Sequence, residues 1–120
     1  TPKITPKETE HKITIPLFQT DKQMHAKYFG YRDVIGENIK RNARYFLGDK
    51  ELGPGKVYLT FLVSMDGDLE RVKVVPEKTQ ANDSLQKIAL RSIEESSPFP
   101  PLPSDYQFPV ISYNLLIEFK

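Results

Sequence analysis

A chain of 120 residues is long enough for one domain and too short for two with proper cores. With 38% hydrophobic residues, 28% charged residues and a net charge of +1, it suits a soluble globular domain; it carries no strongly basic stripe, so nucleic acid is not an expected partner. The absence of cysteine excludes disulfides and thiolate metal sites, and no apolar run approaches the ~20 residues of a membrane helix.

The chain begins at Thr1 rather than Met and shows no signal-peptide pattern, so it reads as a segment of something longer. Residues 1 to 18 hold Pro2, Pro6 and Pro16 among charges with weak apolar patterning. Such composition predicts an extended linker, and residues 1–30 are expected to be a tail that is partly ordered at most. Within it, Lys27-Tyr28-Phe29 is a candidate for docking onto the domain formed by residues 31–120.

The first clear helix is predicted from about Tyr31 to Tyr45. Tyr31, Val34, Ile35, Ile39 and Ala43 recur at helical spacing, with Arg32, Glu37, Lys40, Arg41 and Arg44 on the other side. Gly36 inside it costs up to about 1 kcal/mol relative to Ala. A turn follows, marked by Gly48, Gly53, Pro54 and Gly55.

Val57 to Val63 is apolar at nearly every residue, as a central strand would be, while Leu69 to Val75 carries Glu70, Arg71 and Lys73 and resembles an edge. Asp66-Gly67 between them is a hairpin signal, because Gly accepts the positive φ that such a turn needs. Closing the turn there pairs Phe61 with Val72 and Leu59 with Val74 on one face, and Leu62 with Arg71 and Thr60 with Lys73 on the other. A slip of one residue would mix the faces.

A second helix is predicted from Ser84 to Glu95, with Asn82 or Asp83 as N-cap, Gln86 as a capping-box partner, and Leu85, Ile88, Ala89 and Ile93 as its buried stripe. Capping also accounts for Asn82-Asp83-Ser84 better than its match to a glycosylation triplet. The helix ends before Pro98, and Pro98-Phe99-Pro100-Pro101-Leu102-Pro103 forms a stiff connector. The last strand runs from Val110 to Phe119, with Ile111, Tyr113, Leu115, Ile117 and Phe119 on the buried face and Ser112, Asn114, Leu116 and Glu118 on the wetter one. The order predicts an α+β fold: a three-stranded antiparallel sheet with two helices packed on one face and the last strand as an open edge.

No chemistry of an active site is legible. Asp66-Gly67-Asp68-Leu69-Glu70 lacks the ligand spacing of a calcium loop, His11 and His25 have no second pair of ligands, and no nucleophile–base order, phosphate loop or cofactor fingerprint is present. A non-enzymatic binding domain with no cofactor and no metal is expected.

In chain order over residues 31 to 120, several features resemble the C-terminal domain of TonB-family energy transducers and, less closely, the related TolA C-terminal domain. They are Gly55-Lys56-Val57 entering the first strand, the Met65-Asp66-Gly67-Asp68-Leu69 turn and the Leu85-to-Ile93 helix. Ser97-Pro98-Phe99-Pro100-Pro101-Leu102-Pro103, the most specific element, and the final alternating strand complete the set. Tyr45-Phe46 stands where that family has Tyr-Pro, and the family's N-terminal anchor and long Pro-rich linker are represented only by Pro2-Lys3 and Pro6-Lys7.

The resemblance implies a periplasmic module tethered to the inner membrane. Such a module takes up N-terminal extended segments of outer-membrane transporters as an added strand and couples proton-driven motor proteins to transport. Mapped onto this chain, it implies contacts from Val110, Ile111, Ser112, Tyr113, Asn114, Leu115, Leu116, Ile117, Glu118 and Phe119, and from Arg44 and Tyr45. An open edge offers N–H and C=O groups with little sequence demand. At about 1 kcal/mol net per hydrogen bond, the grip is releasable. A proline at Tyr113 or Leu115 is expected to abolish capture where its N–H faces the partner. The alternatives are a TolA-like envelope tether and a structural domain that forms a homodimer through its edge strand.

Overall fold

The computed structural model describes residues 13–20, 29–100 and 110–120. Its elements are β1 (Ile13–Thr20), α1 (Phe29–Leu47), β2 (Gly55–Ser64), β3 (Leu69–Val74), a 3-10 turn (Pro76–Lys78), α2 (Asp83–Ser96) and β4 (Val110–Phe119). The expected docking of Lys27-Tyr28-Phe29, the side chain of Tyr31, His11, His25 and the connector from Pro101 onward lie outside the described residues.

The α+β expectation holds, but the sheet has four strands rather than three, in the order β1-β4-β2-β3 and antiparallel throughout. The hairpin closes in the predicted register, with Phe61 opposite Val72, Leu59 opposite Val74, Leu62 opposite Arg71 and Thr60 opposite Lys73. β2 is central and the charged β3 is an outer strand. A register shift next to the turn sets Val63 opposite Leu69 and leaves Glu70 as the extra residue.

The buried face of the sheet is made by Val57, Leu59, Phe61 and Val63 of β2 and by Ile111, Tyr113, Leu115, Ile117 and Phe119 of β4. Ile35, Ile39 and Ala43 of α1 and Leu85, Ile88, Ala89 and Ile93 of α2 close the core over that face. Val34, expected in the same stripe, is instead 48% exposed, one position off the buried side of α1. The two helices are also joined by polar groups. Asn42 Nδ2 donates to Ser96 Oγ at 2.8 Å, and the buried Ser96 hydroxyl donates onward to the Ser92 carbonyl at 2.7 Å.

Local chemistry sets the element ends. Asn82 is the N-cap of α2, its Oδ1 accepting from the Leu85 N–H at 2.9 Å while its Nδ2 donates to the Leu52 carbonyl at 2.8 Å. Gln86 does not close a capping box; its Nε2 donates to the Ala81 carbonyl. Gly55 opens β2 where an added Cβ would come within 2.8 Å of Leu85 Cδ1 and 2.9 Å of Ala81 Cβ, so only glycine lets β2 pass this close to the start of α2.

Candidate functional site

The ten residues from Val110 to Phe119 form one strand with the predicted alternation, odd-numbered side chains buried and even-numbered ones half-buried. Which of their backbone groups point toward a partner follows from the neighbours of β2. Tyr58 accepts from the Val75 N–H at 2.7 Å, and Lys56 exchanges hydrogen bonds with Gln80, so the even-numbered residues of β2 turn their backbones toward β3. The odd-numbered residues therefore face β4, where Val57, Leu59, Phe61 and Val63 stand opposite Ile117, Leu115, Tyr113 and Ile111. On the other side of β4, the groups on offer belong to Ser112, Asn114, Leu116 and Glu118.

That side is not open, which corrects the expectation of a free last strand. β1 lies along it antiparallel, with Ile13 opposite Phe119, Thr14 opposite Glu118, Leu17 opposite Leu116, Phe18 opposite Leu115, Gln19 opposite Asn114 and Thr20 opposite Tyr113. Residues 13–20, read from composition as part of a linker, are thus the fourth strand of the sheet. The signal was hidden by a register shift between Thr14 and Leu17. Ile13 faces the core before the shift and Phe18 after it, so the buried set changes from odd to even numbers and period-two alternation is lost. Pro16 sits exposed within the shifted segment of this outer strand, where a missing N–H is tolerated.

The seat of β1 is built mainly around Phe18. Its ring meets Tyr113 edge-on at 5.1 Å and Phe61 at 6.2 Å. From above it meets α1 at Gly36, where an added Cβ would lie 3.4 Å from the ring, in van der Waals contact, so the ring packs directly against the helix with room for no large side chain between them. The Phe18 carbonyl points away from β4 and accepts from Arg32 Nη1 at 3.3 Å. Beyond β1 a groove of about 640 Å³ runs between its outer edge and α1, lined by Ile15, Pro16, Arg32, Glu37 and Lys40 among others. Glu37 and Lys40 pair there at 2.9 Å.

Arg44 and Tyr45 are not part of this edge. They lie on the last turns of α1, whose main neighbours are α2 and β1, and Tyr45 is 79% exposed with its ring edge-on to Phe46. Among the described residues no group of three or more His, Asp or Glu side chains is placed to hold a metal, and no helix is long and apolar enough to cross a membrane. No family model, curated protein or solved structure matches this chain.

Proposed function

We propose that this chain is a partner-binding domain of TonB-like character. It captures an extended segment of an outer-membrane transporter by strand addition beside β4 and passes on work from inner-membrane motor proteins. The observation that carries this reading is the occupancy of the β4 edge. An extended eight-residue segment rests there, and only Ile13 within it is fully buried. The edge is thus fitted to a strand held by backbone pairing and few side chains, the mode in which an exposed sheet edge recognises peptides. The TonB-like resemblance of the turn, the Pro-Phe-Pro segment and the final strand supplies the class of partner.

On this reading β1 occupies the partner's place, and capture proceeds by its departure. A second reading follows from the same observation: two copies that exchange their β1 strands would form a homodimer with the same pairing. Titration of the labelled protein with N-terminal peptides of outer-membrane transporters tests the proposal. Capture shifts the amides of Asn114, Leu116 and Glu118 together with those of β1. Peptides that leave these amides unmoved remove the strand-capture reading, and a concentration-dependent rise in mass without peptide favours exchange between copies.

A further inference from the structure

The side of β4 that receives β1 is more than a row of hydrogen-bonding groups, because one position along it is a shaped socket. Phe18 fills it, between the rings of Tyr113 and Phe61 on the sheet and Gly36 on α1. An added Cβ at position 36 would sit in van der Waals contact with the ring, at 3.4 Å, so a side chain that extends beyond a methyl toward the sheet would occupy space that the ring now uses. Above the same residue, Arg32 binds the carbonyl that points away from β4. The neighbouring strand positions are undemanding. Leu17 and Gln19, opposite Leu116 and Asn114, face away from the helices, and Gln19 is exposed.

We propose that this socket sets the specificity of the β4 edge: a captured segment carries an aromatic residue opposite Leu115, its ring under Gly36 and its carbonyl on Arg32. The inference rests on the strand-capture reading and names the partner's chemistry within it. The partner is an extended polypeptide with an aromatic anchor and a second, aliphatic anchor opposite Phe119, where Ile13 is fully buried. In β1 the two anchors are five residues apart, 13 to 18, because of the register shift, whereas Phe119 and Leu115 are four apart. A regular strand without a bulge meets both anchors with aliphatic and aromatic residues at i and i+4. Edge-on ring contacts of this kind discriminate an aromatic from alanine beyond the area they bury.

The test uses the full chain and synthetic peptides of sequence ITIPLFQT, with the Phe retained or replaced by Ala, read by the amide shifts of residues 110–119. In the wild-type chain both peptides compete with β1 and are used at millimolar concentration, the range of a tethered segment. In Phe18→Ala the tethered competitor is weakened. There the Phe peptide is expected to bind at least about tenfold more tightly than the Ala peptide, a ratio worth about one ring contact. In Gly36→Leu the socket is filled from the helix, and the ranking is expected to level or reverse. The wild-type titration gives the ranking even where a variant does not fold. Binding of both peptides within about twofold of each other in the wild-type and Phe18→Ala chains overturns the socket and leaves strand capture standing. A preference for the Phe peptide that persists in Gly36→Leu overturns it as well. Failure of both peptides to move the β4 amides in all of the folded chains, the wild type included, overturns strand capture itself.

Discussion

The Phe99 N–H donates to the carbonyl of Gly67 at 2.7 Å, fastening the β2–β3 turn to the segment that leaves α2. Phe99 is buried and its ring stacks on Phe61 at 6.0 Å, so the turn is pinned to the core by a residue far from it in sequence. Gly67 has φ +95°, and an added Cβ would lie 2.0 Å from the Phe99 carbonyl oxygen. The turn glycine therefore answers to two demands, a left-handed backbone and a close approach of another chain segment.

Gly67→Ala is accordingly expected to destabilise the fold by about 3 kcal/mol or more, combining left-handed strain with a clash against backbone that has no rotamer to escape into. Asp66→Asn, one position away on the exposed side of the same turn, is expected to stay within about 0.5 kcal/mol. Urea unfolding of the two variants measures the contrast. Near-equal midpoints would mean that the Pro-Phe-Pro segment does not hold the turn.

Asn82→Ala removes both the cap on the Leu85 N–H and the bond from Nδ2 to the Leu52 carbonyl. The expected loss is about 1–2 kcal/mol, with Asp recovering the cap but not the second bond, because a carboxylate has no N–H to donate. Chemical denaturation of the Ala and Asp variants separates the two contributions.

The Asn42–Ser96 bond is the described side-chain hydrogen bond that joins the two helices. Ser96→Ala leaves the Asn42 amide without that acceptor and is expected to cost about 1 kcal/mol, with Asn42→Ala of similar size. The double variant is expected to cost less than the sum, giving a coupling of roughly 0.5 kcal/mol or more in a double-mutant cycle. Simple additivity would mean that the Asn42–Ser96 bond adds no coupling to the helix–helix attachment.

Much of this architecture was legible because its pattern is regular. The alternation from Val110 to Phe119 places the last strand, and the charges at Glu70, Arg71 and Lys73 against the apolar Val57–Val63 set the hairpin register and mark β3 as an outer strand. Gly36 read only as a cost to α1, since the ring that packs against it comes from a strand that the sequence did not reveal. β1 itself was masked by the register shift beside Pro16, which moves its buried residues from odd to even positions. The candidate edge was legible as a strand, but its direction was not. Tyr113 and Leu115, where a proline was expected to abolish capture on the condition that the N–H faced the partner, turn their N–H groups toward β2, and the outward positions are Ser112, Asn114, Leu116 and Glu118.

That assignment carries its own prediction. If β1 leaves the edge more readily than the rest of the sheet unfolds, the amides of Asn114, Leu116 and Glu118 exchange through that local opening, while those of Tyr113, Leu115 and Ile117 wait for global unfolding. Native-state hydrogen exchange is therefore expected to show alternation along β4, with the even-numbered amides less protected by a free energy that matches the attachment of β1. Phe18→Ala loosens that attachment, so it is expected to deepen the alternation by about 1–2 kcal/mol without lowering the protection of the odd-numbered amides by more than it lowers global stability. Proline sharpens the same contrast. Leu115→Pro deletes a bond to the central strand and is expected to unfold the domain, whereas Leu116→Pro deletes one to β1 and is expected to cost less and to free the β1 amides. Uniform protection along β4 in the wild-type chain would mean that β1 is as permanent a part of the sheet as β2, and strand capture would then have to occur at an outer edge.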